Sequence, residues 1–452
     1  DLSRWSGDAS DRLWQAFLSD VQRFVGAGGA APMPSVPQPA AAASHRAPST
    51  DDRPSLAILP FANRSGEKAD DVFADGMVED LIGALSLSGA IKVIAQSATI
   101  VYRKNVSDLR TIGRELGVRY LLEGNVRRVG TTLRVTAQLV EADTGAILWV
   151  QKFDRPLSEL ADLQEQLVME VAANLGVQVE RIEMENALRK PGDLTAWEAV
   201  TRSLAVYGRL GPDTLRAAIA DARRAITVAP NYARGHALLA MSLPSLCMHL
   251  GGRDDAMARE GRAHAQRALV LDGNDPLVLS NVALGLGFLG SWQEALVHAQ
   301  RAVDLNPNMA MCHTTLAITW LHFDRPDDVL AHADAALILA PRGYQTYLCL
   351  GYKGLAHFQG GRYEQALQAV DQALQFYPYM FSLKDRAVFC EKLGRHEDAR
   401  EAVRRLRAAE PALTLEGIEG SNVVVFSPRT AADLNATFRK VWLATPLDPP
   451  TT

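Results

Sequence analysis

The segment AITVAP (225–230) returns along the second half of the chain as ALVLDG (268–273), AVDLNP (302–307), ALILAP (336–341), ALQFYP (373–378) and LRAAEP (406–411). The last residues of these segments are 43, 34, 34, 37 and 33 positions apart. Self-similarity at a fixed period of this length indicates a repeat of paired helices. One helix pair cannot bury its own apolar face, so successive pairs must stack into a superhelix.

A turn motif precedes three of these segments, as GSWQEA (290–295), GRYEQA (361–366) and GRHEDA (394–399). We expect the glycine to end the first helix in a left-handed conformation, the aromatic residue to pack under the turn and the alanine to allow close helix approach. The closing proline ends the second helix. The expected structural positions are Gly290, Trp292, Ala295, Gly361, Tyr363, Ala366, Gly394 and Ala399, with Pro307, Pro341, Pro378 and Pro411.

These motifs resemble the tetratricopeptide repeat family over residues 199–411, within a repeat domain that we place at 195–415 with five to six units. One unit departs from the pattern, with Asp324 and Pro326 in place of glycine and an aromatic residue. The resemblance implies a concave groove, lined by first helices, that binds a protein or peptide. By register, the groove positions are Ser280, Thr314, His322, Gln359, Lys384, Glu391 and Lys392; the alternative is that they are only solvated polar positions.

Residues 55–188 are predicted to form an α/β domain. The apolar run SLAILPF (55–61) indicates a buried strand, and residues 132–141 alternate between apolar and polar side chains as in a sheet with one covered face. The element order β-α-β-α-β-β-β-α predicts one mixed sheet with packed helices, so the whole chain is α+β: a mixed-sheet α/β domain followed by an all-α superhelix.

This middle region resembles the TolB-like domain of bacterial signalling proteins in SLAILPFANRSG (55–66), FADGMVEDLIGAL (73–85), RELGVRYLLEGNVRRVG (114–130) and LRVTAQLVEADTGAILW (133–149). The resemblance implies a sensory or assembly role and an upstream effector domain. The polar residues in these matching segments are Asp75, Glu79, Asp80, Glu123, Arg127 and Arg128. Two interpretations stay open for them: contact with a ligand, or structural roles on helix surfaces and strand edges.

The two ends of the chain are expected to be accessory. Residues 1–26 resemble the end of a TIR domain through Trp5, Gly7 and Asp8, and the absence of an initial methionine suggests a fragment of a longer protein. Residues 27–54 are rich in Ala and Pro, which predicts a disordered linker. Residues 416–452 are predicted to be a capping helix (432–443) and tail.

Composition and motifs argue against several function classes. The net charge of −5 gives no reason to expect nucleic acid, and no apolar run reaches the length of a membrane span. The four cysteines lack metal-type spacing and are expected to be reduced core thiols in a cytoplasmic protein. The fingerprint Gly285-x-Gly287-x-x-Gly290 lies in a repeat helix rather than after a strand, so we reject it as a dinucleotide site. We predict no catalytic residue, no metal and no cofactor.

These observations favour a protein-interaction and regulatory module of a multidomain bacterial signalling protein. A homo-oligomer is compatible with this function. The alternative is the accessory region of an enzyme whose catalytic domain, a TIR NAD hydrolase or a class III adenylate cyclase, lies upstream. A third hypothesis, DNA-linked regulation, is disfavoured by the negative charge and by the lack of a recognisable winged helix.

Overall fold

The computed structural model of the chain describes residues 53–86, 91–104, 108–156, 160–189, 194–207, 210–250, 254–341, 343 and 345–446. The expected TIR-like remnant at 1–26, nearly all of the expected linker at 27–54 and the tail from residue 447 lie outside this range.

A mixed sheet forms the centre of the first part. Its strands are β1 (Ser55–Ile58), β2 (Ala62–Asn63), β3 (Lys92–Val93), β4 (Tyr120–Val129), β5 (Thr132–Glu141) and β6 (Ile147–Pro156). They lie in the order β3-β1-β4-β5-β6, with β2 beside β4. Strand β1 is parallel to both neighbours, whereas β4, β5 and β6 form an antiparallel meander. The sheet is therefore mixed, as the element order predicts.

The helices of this part are α1 (Lys68–Ser86), α2 (Gln96–Thr99), a 3₁₀ helix (Ile100–Lys104), α3 (Leu109–Leu116) and α4 (Leu160–Arg189). Helices α1 and α4 cover one face of the sheet, where alternate β5 residues from Leu133 to Leu139 are buried. Helix α3 covers part of the other face through Ile112. Sequence patterning did not indicate β2, α2 or the 3₁₀ helix, because elements of two to five residues carry no readable period.

Six helix pairs follow within the described residues. They are α5 (Ala196–Tyr207) with α6 (Pro212–Val228), α7 (Ala233–His249) with α8 (Asp255–Asp272), α9 (Pro276–Phe288) with α10 (Trp292–Leu305), α11 (Ala310–His322) with α12 (Pro326–Leu339), α13 (Thr346–Gln359) with α14 (Tyr363–Phe376), and α15 (Met380–Lys392) with α16 (His396–Ala409). The prediction of a helical repeat in the second half is confirmed.

The turns inside the pairs explain the glycine spacing. Gly290, Gly361 and Gly394 have φ angles of +84°, +71° and +72°, the left-handed region that a side chain disfavours. Asp324 occupies the equivalent turn of the α11–α12 pair with φ of +52°, and it is the one non-glycine residue with positive φ among those described. The departure seen in the sequence is thus a residue held in a conformation that suits glycine better.

Small residues allow the helices of the array to approach closely. Ala295, Ala366 and Ala399 are completely buried at the start of the second helices. Gly285 on α9 faces α7 so closely that a Cβ there would lie 2.1 Å from the carbonyl oxygen of Ala240. Gly285 is therefore explained by helix packing rather than by a phosphate-binding loop.

The chain ends in a helical hairpin, α17 (Leu415–Val425) and α18 (Pro428–Ala444), which we call the C-terminal hairpin. Helix α18 packs on α15 and α16, while α17 returns across the array to reach α7 and α9. The sequence predicted a helix at 432–443 but not α17. Helix α17, LEGIEGSNVVV, contains two glycines and three consecutive valines, which weaken the helical signal.

The α/β domain and the array are in contact. Helix α4 packs against α5 and reaches α12. The amide nitrogen of Asn308, in the turn before α11, lies 3.7 Å from the sulfur of Met169 on α4. A cleft of about 160 Å³ lies between α1 and α4 on one side and the turns of the array on the other.

Candidate functional site

The predicted groove positions all lie on first helices. Ser280 is on α9, Thr314 and His322 are on α11, and Gln359 is on α13, while the three remaining positions, Lys384, Glu391 and Lys392, are on α15. The first helices from α5 to α15 also contact one another in order, so they form a continuous inner layer of the array. Five of these seven side chains contact the C-terminal hairpin or residues that hold it, as the following paragraphs describe.

Ser280 and Thr314 are buried between neighbouring first helices. The Ser280 hydroxyl donates to the Cys312 sulfur at 3.5 Å. The Thr314 hydroxyl donates to the Ala310 carbonyl at 2.9 Å and contacts the Cys349 sulfur at 3.2 Å. Neither side chain is open to solvent or to a partner in this structure, because the inner helices pack too closely to leave it exposed.

Two stacked rings hold the C-terminal end of α17. The Trp292 Nε1 donates to the Val424 carbonyl at 2.7 Å, and the His322 Nδ1 donates to the Val425 carbonyl at 3.2 Å. The rings stack at 5.0 Å between centroids with an interplanar angle of 16°. The last carbonyls of a helix have no partner within the helix, so this pair supplies donors where they are needed. Sequence analysis assigned Trp292 only a packing role in the turn.

Lys384 is buried in the groove beneath the hairpin. Its exposed fraction is 1% and that of its neighbour Asp385 is 3%. The Lys384 ammonium contacts the Asp385 carboxylate at 2.7 Å and donates to the Asn422 side-chain oxygen on α17 at 2.9 Å. It also lies 5.7 Å and 5.4 Å from the ring centres of Phe381 and Phe426. The hairpin thus supplies two of the contacts of this buried ammonium group, the Asn422 oxygen and the Phe426 ring.

Asp324 fastens the start of α18. Its carboxylate accepts hydrogen bonds from the hydroxyls of Ser427 and Thr430, both at 2.6 Å. The Gln359 side-chain nitrogen donates to Asp324 at 2.9 Å and to the Leu321 carbonyl at 2.8 Å. The predicted groove residue Gln359 therefore positions Asp324. The only sequence signal for Asp324 was its departure from the turn motif.

Lys392 and Glu391 hold the other side of α18. Lys392 contacts Asp433 at 2.6 Å, and Glu391 contacts Lys440 at 2.6 Å and His396 at 2.8 Å. Burial raises the pKa of Glu391, but the hydrogen bonds from Lys440 and His396 outweigh it and hold the pKa below its usual value. Glu391 therefore stays ionised, and the hairpin is tied to the array by ion pairs as well as hydrogen bonds.

A cavity of about 80 Å³ lies under the hairpin, lined by residues of α7, α11, α13, α15 and α17. His249, at the end of α7, is buried beside it. Its Nδ1 donates to the Ser245 carbonyl at 2.8 Å, which leaves Nε2 to accept from the Tyr379 hydroxyl at 3.1 Å. Burial lowers the pKa of His249 to about 4, so the ring is neutral at physiological pH.

An open groove of about 840 Å³ continues from the hairpin along α8. Its polar wall includes two aspartates and two arginines, Asp254, Asp255, Arg259 and Arg262, and its apolar wall includes Trp292 and Val423. Val423 has an exposed fraction of 64% although it belongs to α17. This groove is open to solvent while the hairpin is in place.

Four of the six polar residues singled out in the α/β domain have partners within that domain: Asp75, Asp80, Glu123 and Arg128. Arg128 forms a two-point contact with buried Asp70 at 2.9 Å and 2.8 Å, and the hydrogen bonds from Arg128 lower the pKa of Asp70. Asp75 pairs with Arg103. Glu123 accepts from Gln138 and lines a surface pocket of about 430 Å³. Their ligand-binding role stays a prediction.

The part of the chain that the structure describes contains no cluster of three or more His, Cys, Asp or Glu side chains arranged to hold a metal ion. In that same part, no helix combines the length and the apolar character needed to cross a bilayer. All four cysteines are unpaired, and Cys312, Cys349 and Cys390 are buried.

Residues 51–170 match the family model for the second domain of HilA/YgeH-like transcriptional regulators. The match covers the α/β domain as far as the first part of α4. The matched family differs from the TolB-like family that the sequence led us to expect. The TolB-like assignment therefore stays a prediction.

A putative adenylate cyclase 3 of Rhizobium meliloti (strain 1021) is 30% identical over 280 residues, which is 62% of this chain and 48% of that protein. The chain spans about half the length of this curated relative.

Similar solved structures include a tetratricopeptide repeat protein of Parabacteroides merdae, with 12% identity and a TM-score of 0.31, covering 54% of this chain and 98% of that one. They also include TolB of Acinetobacter baumannii, with 18% identity and a TM-score of 0.21, covering 28% of this chain and 29% of that one. The fold assignment rests on the helix pairs and the sheet themselves.

Proposed function

We propose that this chain is the protein-recognition and regulatory part of a multidomain bacterial signalling protein. The observation that carries the proposal is the inner layer of the array, which already holds a helical segment through side-chain donors aimed at its backbone, with Trp292 and His322 at its C-terminal end. Helix-in-groove binding is a common mode of peptide recognition. The α/β domain contacts the array, so a partner bound there can act on the domain.

The open groove beside α17 is the surface where we expect the partner to make first contact. It combines charged side chains of both signs with an exposed valine, a mixture typical of a recognition surface rather than of a helix exterior. A partner segment that carries charged side chains beside small apolar ones complements it.

Proximity labelling in the native host tests the proposal. The full-length protein should label a defined set of proteins, and Arg259→Glu combined with Arg262→Glu should remove at least one of them. Arg216→Glu is the control for reversal of an exposed arginine, because Arg216 is exposed and pairs with Asp213 on its own helix. A set of labelled proteins that is the same for the double groove variant and for the control would contradict the proposal.

The second candidate function is the accessory region of an adenylate cyclase, favoured by the name of the Rhizobium meliloti relative. In this case the chain controls a catalytic domain outside its own sequence. The test is cyclic AMP formation by the natural full-length protein, measured with and without the groove variants. Residues 1–452 alone should not turn over ATP. Full-length protein without cyclase activity would exclude this candidate and leave the recognition function in place.

A further inference from the structure

The C-terminal hairpin is not placed as an ordinary end cap of a repeat array. An end cap covers the last pair, and α18 does this by packing on α15 and α16. Helix α17 instead crosses to contacts that lie far back in the chain. The Ser421 hydroxyl donates to the Met248 carbonyl at 2.8 Å, across 173 positions, and Trp292 binds Val424 across 132 positions.

The contacts that hold α17 are those of a ligand in a binding site. They are directed polar contacts: two ring nitrogens to the last carbonyls, Lys384 to Asn422, and the Met248 carbonyl to Ser421. The last carbonyls of α7 and of α17 are both satisfied in this way, as helix ends require. The fit beneath the helix is incomplete, because a cavity of about 80 Å³ remains between it and the inner helices beside these contacts.

The sequence of α17 gives it little stability of its own. It has 11 residues, with Gly417 and Gly420 in its interior and three β-branched residues at its end. Isolated helices of this length are marginal in water, and both residue types lower the helical propensity further. The helix therefore persists because the groove holds it, and loss of the groove contacts unfolds or releases it.

Asp324 is retained at a position where glycine would relieve the backbone. Three equivalent turns of the array use glycine at φ between +71° and +84°, and Asp324 adopts φ of +52°. The side chain is not needed for the turn, since the other turns form without it. The side chain instead supplies a carboxylate, which accepts hydrogen bonds from the hydroxyls of Ser427 and Thr430 at the start of α18. It acts as a latch on the hairpin.

We propose that the inner groove is a binding site for the C-terminal end of a short helix, that α17 is its internal occupant, and that a partner helix of similar chemistry binds by replacing α17. The partner helix presents two free carbonyls at its end, an amide side chain one turn earlier for Lys384, and small apolar residues between them. The inference rests on the proposed recognition function.

The experiment uses the full chain throughout. Asp324→Gly removes the latch while giving the turn its usual residue, so the array stays folded. Amide hydrogen exchange in residues 415–425 should become about tenfold faster, and exchange in α11 and α12 should not change. Asp334→Asn is the control, since Asp334 on α12 pairs with Lys353 away from the hairpin. It should alter neither.

The probe is a fluorescent peptide of residues 412–427. It should bind the Asp324→Gly chain at least tenfold more tightly than the unaltered chain, whose groove is occupied. Adding Trp292→Phe, which keeps an aromatic side chain but removes the indole nitrogen that donates to Val424, should weaken peptide binding several-fold. A peptide with residues 421–426 in scrambled order should not bind.

Three results would overturn the inference: unchanged exchange in α17 after Asp324→Gly, equal peptide binding by the two chains, or binding that is indifferent to Trp292→Phe. Failure of the proposed function has a different signature. The peptide and exchange results would follow the expectation, while proximity labelling would show no protein lost on Arg259→Glu with Arg262→Glu.

Discussion

The outer packing of the array and its inner groove hold their parts together in opposite ways. Between first and second helices the contacts are apolar and local in sequence, with buried alanines such as Ala295, Ala366 and Ala399. In the groove, the stacked rings of Trp292 and His322 contact α17 from more than 100 positions away, and the buried Lys384 contacts it across 38 positions. Apolar packing stabilises the scaffold without requiring one particular neighbouring helix. Directed polar contacts, in contrast, select one helix as the occupant of the groove.

The largest effect is expected from Lys384→Met, which removes the buried cation and leaves Asp385 without its partner. Breaking a buried ion pair by removing one member costs about 3–5 kcal/mol, because the remaining charge is uncompensated. Urea unfolding followed by circular dichroism measures this loss. Combining Lys384→Met with Asp385→Asn should recover part of the lost free energy of unfolding. A double variant that is no more stable than Lys384→Met would show that the ion pair does not account for the loss.

The second prediction concerns the loss of folding stability at acidic pH. Burial holds the pKa of His249 near 4, below its value of 6.5 in the unfolded chain. The unfolded chain therefore binds the proton first, and this stability is present above pH 6.5 and lost as pH falls towards 4. The full loss is about 3 kcal/mol by linkage.

The loss of stability between pH 6.5 and pH 5 should therefore be smaller in His249→Phe than in the unaltered chain. Free energies of unfolding at pH 7 and pH 5 for both proteins measure the difference. A variant that loses as much stability as the unaltered chain over this interval would place the acid sensitivity elsewhere, in histidines such as His313 and His332. Burial lowers the pKa of both these residues.

A smaller effect is expected in the apolar scaffold. Gly285→Ala places a methyl group against the Ala240 carbonyl, so α7 and α9 must separate. Overpacking of this kind costs about 1–3 kcal/mol, measured as a lower unfolding midpoint. Gly351→Ala on α13 is the control, because its nearest neighbour is the Ser382 hydroxyl at 3.8 Å. Helix propensity should make that control neutral or slightly stabilising. Equal losses in both variants would remove close approach as the reason for Gly285.

The smallest effect is expected on the exposed outer surface. Asp334→Asn removes the ion pair with Lys353, in which Asp334 has an exposed side-chain fraction of 52%. Exposed pairs contribute less than about 1 kcal/mol. Thermal unfolding of this variant should stay within about 2 °C of the unaltered chain. A clear loss would show that the contrast between polar groove and apolar scaffold is too simple.

The sequence by itself determined the repeat. Its period, the turn glycines and the closing prolines are local requirements of helix ends, and such requirements are written in neighbouring residues. The same holds for the alternating strand β5 and for the element order of the α/β domain. The register also placed all seven groove positions on first helices.

Only the tertiary structure decided what covers those positions. Helix α17 has a weak helical sequence, and Ser421 and Asn422 look like ordinary polar residues until the chain folds back to Met248 and Lys384. The roles of Trp292 and Asp324 in holding the hairpin likewise depend on partners 100 or more positions away. Contacts at such separation follow from how the pairs stack and curve, and no local pattern in the chain records that geometry.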